Sequence, residues 1–462
     1  MGPRKRGISD LLNDGQDANL TPETSDEPPR TRIRLDDTAS QEATRPTTGL
    51  ENASSHSSLP KFLEYPNIST FKPKAIPFQQ PSQLTSFSYT PEHVQEFTDS
   101  ALRYFVDPPL GSNLSFGYDR WIRKPDDRGR IDALLKAISK VKAEAIGGCL
   151  PEIGVVSWRG IMTKILTAPY ENRDGWELNV MLLNGTLYLE EHLTEDRLKE
   201  KNNMDGRQRS QTYYGYAFES YCTSETPTRG VSASGARPGV PPGWGGDVNT
   251  NVQWCSVVRT KLGDMRMIIG GEVDCVRGKY TGQTDTFVEL KTSLAIRGQR
   301  DEANFERKLL KFYFQSFLLG VPEIVVGFRT PAGVISTVQS FKTIQLPRLV
   351  RNKPGAWDPL VSLNWGYQFL TFLKDVIRKE AGVDNDLVWR AKFVPGSGVN
   401  VERLDASGIE DVVNGEDRVG FLPKWYWDEI HAEEHGNSEG LTSATSQTRS
   451  PGSRSRFTGW QI

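Results

Sequence analysis

Apolar positions in this chain recur with two periods, about 3.6 and 2, and the switches between them mark out elements. Ile131, Leu134, Leu135, Ile138 and Val141 predict a helix from Arg130 to Ile146, stopped by Gly147-Gly148. Phe305 to Leu319 predicts another, ended by Gly320 and Pro322. On that helix Lys308, Lys311 and Gln315 lie opposite Leu310, Phe314 and Phe317. Such a polar stripe is the wet side of an amphipathic helix, and it can also follow a nucleic-acid backbone. Tyr213 to Glu219 reads as an aromatic-rich helix, and Val155 to Trp158 as a strand running into Arg159-Gly160. Trp176–Leu183 and Thr186–Leu189 flank Asn184-Gly185, a pair that accepts the positive φ angles of a type I′ hairpin turn. Val252–Thr260 and Met265–Val276 form a second strand pair about Leu262-Gly263-Asp264, and Ile324–Phe328 is a buried strand. Hairpins interleaved with helices predict an α+β (mixed α/β) fold around a mixed sheet.

Three stretches lack this patterning. Residues 1–58 are rich in Ser, Thr, Pro, Asp and Glu, a composition that buries too little surface to order itself. Residues 435–462, with Ser-Arg repeats, read the same way. Residues 223–246 contain Gly239-Val240-Pro241-Pro242-Gly243 and predict a long mobile insertion. A single domain over 59–434 remains, large enough to bury a substantial core.

A net charge of −2 over 462 residues excludes a generally basic nucleic-acid coat, so any such contact must be local. No apolar run approaches the roughly 18 residues of a membrane helix. Met1-Gly2-Pro3-Arg4-Lys5-Arg6 has no apolar core behind it and is not a secretory signal. Arg4-Lys5-Arg6 fits a nuclear-import element and a solvated basic tail equally. Cys149, Cys222, Cys255 and Cys275 form no Cys-x-x-Cys pair, which suits a reducing compartment and argues against structural zinc or disulfides. His431 and His435 sit four apart without an adjacent glutamate, so zincin chemistry is weakly supported.

The chemistry concentrates in two strand-like segments, Gly270–Val276 and Phe287–Thr292. Side chains two apart on a strand share a face, so Glu272 pairs with Asp274 and Glu289 with Lys291. Carboxylates on apolar strands are costly to bury unless they bind something. A hard cation takes such oxygens together with substrate phosphate. An Asp followed by Glu-x-Lys on the next strand is the minimal layout for metal-assisted hydrolysis at phosphorus. A solvated strand face with a Glu/Lys pair gives the same pattern. Val273, Cys275, Val276, Phe287, Val288 and Leu290 favour interior strands around an acidic pocket. Arg159 at a strand end is either a phosphate clamp or a snorkelling surface arginine. Glu219 is either a ligand or a helix-surface charge, and Arg329 ends a buried strand within reach of the same pocket.

In order along the chain stand Trp158-Arg159-Gly160, Thr167-Ala168-Pro169-Tyr170, Gly185-Thr186-Leu187-Tyr188-Leu189, Gly215-Tyr216-x-Phe218-Glu219 and Asn249-Thr250-Asn251. Gly271-Glu272-Val273-Asp274-Cys275, Val288-Glu289-Leu290-Lys291-Thr292-Ser293, Lys308-Leu309-Leu310-Lys311 with Gln315, and Gly327-Phe328-Arg329 follow. Together, over roughly residues 60 to 430, they resemble the decapping nuclease family that includes mammalian DXO and the fungal partner protein of the nuclear 5′-to-3′ exoribonuclease. Gly420-Phe421-Leu422-Pro423-Lys424-Trp425-Tyr426-Trp427 looks like the fungal branch.

The resemblance implies a PD-(D/E)XK nuclease-like core of mixed twisted sheets flanked by helices, with its site in a pocket between sheets. It implies that Glu219, Asp274 and Glu289 bind Mg²⁺ or Mn²⁺, with the Leu290 carbonyl and, partly through water, Glu272. By the same resemblance Arg159, Glu219, Lys291 and Gln315 meet the RNA, and Glu272, Asp274, Glu289 and Lys291 carry catalysis. The implied activity removes pyrophosphate from 5′-triphosphate RNA, and removes unmethylated or incomplete caps and NAD caps. The implied setting is the nucleus, in RNA 5′-end quality control, where the protein stabilises the exoribonuclease and does not itself degrade RNA processively. The alternatives are a non-enzymatic scaffold of that exoribonuclease and a DNA nuclease of the same general fold. The hairpin around Trp176 to Leu189 is the expected partner-binding surface.

Overall fold

The computed structural model describes residues 61–68, 70–145, 150–228, 239–381 and 387–441. In chain order the first strands are β1 (Phe62–Glu64), β2 (Phe78–Tyr89), β3 (Gln95–Glu96), β4 (Tyr104–Phe105), β5 (Val155–Trp158) and β6 (Trp176–Leu183). Then come β7 (Thr186–Glu191), β8 (Thr223–Ser224), β9 (Gln253–Leu262), β10 (Met265–Glu272), β11 (Cys275–Val276) and β12 (Phe287–Leu294). The last are β13 (Glu323–Arg329), β14 (Ile335–Lys342), β15 (Trp389–Val394), β16 (Gly398–Arg403), β17 (Arg418–Val419) and β18 (Leu422–Pro423). A ten-stranded sheet has the order β1-β16-β15-β6-β7-β5-β10-β9-β2-β3, and a six-stranded sheet the order β14-β13-β12-β11-β4-β8. Both are mixed: β5 runs parallel to β7 and β10, and β12 parallel to β13, while hairpins supply the antiparallel pairs. The expected α+β architecture with helices around mixed sheets is therefore present.

Each sheet carries its own apolar layer. The Asp132–Glu144 helix buries Leu134, Leu135 and Ile138 among Phe87, Val156, Val257 and Ile268 of the larger sheet. The Gly206–Cys222 helix buries Tyr213, Ala217, Phe218 and Tyr221 against Val288, Leu290 and Val325 of the smaller one. The Gln299–Leu319 helix packs on the Arg159–Thr167 helix and touches β9, β10, β12 and β13, so it ties the two sheets together.

The hairpin turn is as expected, with Asn184 and Gly185 both at positive φ. Other expectations shift. The helix expected from Phe305 begins at Gln299, because its polar first turn is invisible to apolar periodicity yet favoured by Asp301 and Glu302 at the positive end of the helix dipole. The strand expected over Met265–Val276 is two strands in different sheets, broken at Val273-Asp274. Tails 1–58 and 442–462 lie outside the described residues, as do residues 229–238 of the expected insertion. The rest of that insertion is anchored: Thr223-Ser224 pair with β4, and Trp244 packs edge-on against Tyr221 and Phe116 at 4.9 and 5.1 Å between ring centroids. The C-terminal boundary is also later than composition suggested. Tyr426 and Ile430 are buried, and the helix they anchor, Lys424–Leu441, propagates past position 435.

The Trp176–Leu189 hairpin is interior, paired on one side with β15 and on the other with β5, and its side chains are mostly buried. It offers a partner little beyond its turn. His431 contacts the Trp427 carbonyl at 2.9 Å through Nδ1, and the side chain of His435 lies outside the described residues. Cys222, Cys255 and Cys275 are buried, while Cys149 lies outside the described residues. Among the described residues no helix is long and apolar enough to cross a membrane.

One contact sets how closely the Gly206–Cys222 helix approaches the smaller sheet. A Cβ at Gly327 would stand 2.4 Å from Cε2 of Phe218, a fully buried ring next to Glu219 in sequence. Gly327→Ala should therefore destabilise the protein by about 1–3 kcal/mol, the range for overpacking a core. Thermal unfolding would show this as a lowered Tm, and an unchanged Tm would mean that this contact does not set the helix position.

Candidate active site

The seam between the two sheets gathers the charged residues. β10 delivers Glu272 at its end, the chain crosses at Val273-Asp274, and β12 carries Glu289 and Lys291. At the crossing, Asp274 Oδ2 accepts the backbone N–H of Leu290 at 2.6 Å, a carboxylate standing where a neighbouring strand's carbonyl would otherwise be. This is the physical reason the predicted continuous strand is broken.

Arg159 opens a helix straight after β5, whose Trp158 pairs in register with Gly270 of β10. Any Cβ at Gly270 would lie 2.7 Å from the Trp158 ring, and one at Gly271 2.9 Å from Cβ of Arg159. The two glycines thus let the arginine lie across β10. Its Nη1 donates to Glu289 Oε2 at 2.9 Å, and Lys291 Nζ donates to Oε1 of the same carboxylate at 2.5 Å. Glu289 is only 1% exposed, whereas Arg159, Lys291, Glu272, Asp274 and Glu219 keep part of their surface in solvent. The cluster therefore has a closed floor and an open mouth. Glu219 comes from the Gly206–Cys222 helix, whose start is fixed by a capping box between Asp205 and Gln208.

Four carboxylates face two fixed cations here, an excess of two negative charges when all are ionised. The effects on titration follow. Burial, with Asp274 and Glu272 nearby, drives the Glu219 carboxyl well above its ordinary range. Burial and Asp274 push Glu272 up to about 7, and burial and Glu289 push Asp274 up to about 6. Burial also works against charge on Glu289, but Arg159 and Lys291 outweigh it and hold this carboxyl below the usual range. Burial opposes charge on Arg159 and Lys291 as well, yet the acids, Glu289 foremost, keep both firmly protonated.

The remaining expected residues divide. Gln315 sits half-buried on the helix that packs against Arg159–Thr167, and Leu319, one turn on, lies 2.9 Å from the Cβ position of Gly271. Lys308 and Lys311 are exposed on the same helix while Leu310, Phe314 and Phe317 are buried, as the stripe predicted. Arg329 does not join the site. Glu289 pairs in register with Ile324, so alternation sends Arg329 to the opposite face, where its guanidinium lies 4.7 Å from the Tyr214 ring. Three further residues support the site; sequence reasoning missed Gln253, and it gave Trp158 and Tyr216 no role beyond their place in the motifs. Gln253 Nε2 donates to Glu272 Oε2 at 2.9 Å, and Trp158 Nε1 donates to the Arg130 carbonyl at 3.1 Å. Both contacts depend on long-range register. Tyr216, whose hydroxyl is influenced by burial and then by Glu219, was legible, since it lies three residues before Glu219 on one helix.

The donor set suits a divalent cation: hard carboxylate oxygens with an uncompensated charge of the right size. The shell is not preformed. Among the described residues no group of three or more His, Cys, Asp or Glu side chains closes on a common point. Glu289 is held by its two cations and Asp274 by the Leu290 N–H, while burial first and then the neighbouring carboxylates raise Glu219 and Glu272.

The chain is similar to known proteins. The family described as RAI1 like PD-(D/E)XK nuclease matches residues 79–427. The decapping nuclease RAI1 of Mycosarcoma maydis is 38% identical, over 76% of this chain and 87% of the relative. The decapping and exoribonuclease protein of Bos taurus is 35% identical, over 76% of this chain and 85% of the relative. The crystal structure of Candida albicans Rai1 in complex with pU5-Mn²⁺ superposes with a TM-score of 0.67 at 26% identity, covering 81% of this chain and 98% of that one.

A carboxyl whose pKa is raised by folding favours the native state at low pH, and that advantage is lost as pH rises through the raised value. With Asp274 near 6, Glu272 near 7 and Glu219 also raised, the chelator-treated protein should lose stability from pH 5 to pH 8. Glu219→Gln removes one of the repelling charges, so it should melt higher than wild type at pH 8 and show a shallower decline. A variant that melts lower at pH 8 would contradict this balance of charges.

Proposed function

The chain belongs to the RAI1-like PD-(D/E)XK nuclease family, and from that premise and the charged seam we propose that it is a metal-dependent hydrolase of RNA 5′ ends. The observation that carries the reading is the double grip of Arg159 and Lys291 on Glu289 beside three further carboxylates, at an open mouth between two sheets. We assign it removal of pyrophosphate from 5′-triphosphate RNA, together with unmethylated or incomplete caps and NAD caps. It acts in the nucleus and stabilises a 5′-to-3′ exoribonuclease, which degrades the monophosphorylated product. The decapping names of its relatives support cap removal, the ordered motifs of this chain support the remaining activities and the partner, and the basic Arg4-Lys5-Arg6 supports the nuclear setting.

Glu219, Asp274 and Glu289, with the Leu290 carbonyl, would hold a divalent cation, Mg²⁺ or Mn²⁺, which would supply Lewis acidity at phosphorus and lower the pKa of a bound water. The chain's own groups do the rest. Arg159 keeps one arm on Glu289 and presents the remainder of its planar fork to a non-bridging phosphate oxygen. Lys291, seated on Glu289 at the same depth, orients the incoming water and stabilises charge as it builds at phosphorus. Glu272, fixed by Gln253, holds water at the rim, and Gln315 meets the RNA from the facing helix. Water attacks the α-phosphorus, the bond to the pyrophosphate oxygen breaks, and the products are pyrophosphate and 5′-monophosphate RNA.

The test is a product assay on 5′-triphosphate RNA labelled at the γ-phosphate. Wild type with Mn²⁺ should release labelled pyrophosphate, and chelator should stop it. Asp274→Ala combined with Glu289→Ala should lower turnover at least ~10³-fold, a magnitude expected for loss of the main electrostatic stabilisation. Retained turnover in that variant removes the site assignment. Cleavage of duplex DNA irrespective of the 5′ group would favour a DNA nuclease, and exoribonuclease capture without any turnover would favour a scaffold.

A further inference from the structure

Outside the acidic seam, one other carboxylate among the described residues is as deeply buried as Glu289. Glu190, on β7, is 1% exposed. β7 runs parallel to β5 with Tyr188 beside Val156, so Glu190 stands level with Trp158, the residue before Arg159. Glu190 Oε1 accepts from Nη1 of Arg130 at 2.9 Å, and its Oε2 accepts the backbone N–H of Ile131 at 3.2 Å. Arg130 Nη2 donates in turn to the Val412 carbonyl at 2.9 Å, so the arginine is anchored by both arms.

The Ile131 N–H and the Arg130 carbonyl belong to one planar peptide unit and point in opposite directions. Glu190 holds the N–H side, and the carbonyl accepts Nε1 of Trp158 at 3.1 Å. Glu190 therefore sets the plane to which the indole is tied. The face of the ring is confined as well, since a Cβ at Gly270 would stand 2.7 Å from its Cζ3. Trp158 is the N-cap of the Arg159–Thr167 helix, in extended conformation with φ −71° and ψ 146°. A ring fixed at its edge and its face leaves the next residue little room to turn, and that residue is Arg159, whose Nη1 lies on Glu289. An unbroken run of contacts thus joins Glu190 to the seam without Glu190 reaching it. A buried ion pair adds little net stability over apolar groups of the same size, so stability alone does not account for a carboxylate at this depth.

We propose that Glu190 is a positioning residue for Arg159, acting through the Arg130–Ile131 peptide and the Trp158 indole and aiming the free edge of the guanidinium at substrate phosphate. It rests on the reading of the seam as an RNA 5′-end site. Loss of the Glu190 carboxylate leaves every group of the seam chemically intact and misaims one of them. A misplacement of about 1 Å costs on the order of 10²-fold in rate.

The test is a double-mutant cycle on pyrophosphate release from 5′-triphosphate RNA, with wild type, Glu190→Gln, Arg159→Ala and the two combined. A glutamine can accept one of the two N–H groups but turns its own NH₂ group toward the other, so it loosens the peptide at nearly unchanged volume. Glu190→Gln should lower kcat/KM by about 10- to 100-fold while Arg159 is present. Once Arg159 is alanine, the same change should cost less than about twofold. A role confined to folding lowers both backgrounds alike, so equal losses, or no loss in either, overturn the proposal. Trp158→Phe keeps the ring over Gly270 and removes only the N–H, and it should reproduce the loss and its dependence on Arg159. A Trp158→Phe protein as active as wild type overturns the proposal too. Thermal melting checks that each protein is folded, and if Glu190→Gln is not, Trp158→Phe takes its place in the cycle. If wild type turns over and the losses are equal, the 5′-end reading stands and the role of Glu190 falls. If wild type releases no pyrophosphate, the 5′-end reading falls and the melting temperatures of the same four proteins decide. A drop for the pair smaller than the sum of the single drops then upholds the link from Glu190 to Arg159, and a simple sum overturns it.

Discussion

The carboxylate of Glu289 is buried at the seam of two sheets and held from both sides, by Arg159 from one strand end and by Lys291 from its own strand. A charge at that depth is tolerable only while both partners stay in place. Much of the surrounding architecture meets that condition. β5 runs parallel to β10 so that Arg159 arrives beside Glu272, and Gly270-Gly271 leave the space in which it lies. β12 takes the interior of its sheet between β11 and β13, which puts Glu289 below the surface and Lys291 at its rim. The strand that carries Glu272 stops there, since Asp274 must turn its carboxylate onto the Leu290 N–H instead of continuing the ladder.

The same seam is over-supplied with negative charge, and the packing keeps it so. Phe218 against Gly327 and the capping box at Asp205 fix the helix that brings Glu219 into the cluster. The Gln299–Leu319 helix fixes the opposite wall with Phe305, Phe314 and Phe317 in the core. Left to itself such a cluster repels, which the raised carboxyls express. Stability is lower locally, and the proposed binding of a cation together with a phosphate would offset that repulsion.

Much of this was legible from local pattern. The type I′ hairpin at Asn184-Gly185, the helix ending at Gly320 and the alternation that pairs Glu289 with Lys291 follow from rules spanning a few residues. The ordered motifs then grouped Arg159 and Glu219 with the strand acids, which spacing alone could not do because each sits on a different element. What escaped depended on distance in sequence. The break at Val273-Asp274 is set by a side chain bonding to a residue sixteen positions on. The turn of Arg329 away from the site is set by the register of β13 on β12, and the interior place of the Trp176–Leu189 hairpin by β15, more than 190 residues later. The anchoring of Trp244 shows that a Pro-Gly-rich composition marks a turn as readily as a mobile segment.

The central claim is that the seam is a cation site built from charge excess, and calorimetric titration of Mn²⁺ tests it most directly. At pH 6.5, in buffers of different ionisation enthalpy, the account predicts saturable binding accompanied by proton release, because the raised carboxyls must deprotonate to take the metal. It also predicts that Asp274→Asn with Glu289→Gln abolishes that binding. Absence of saturable binding to the wild-type protein, or binding that the double substitution leaves intact, would contradict it.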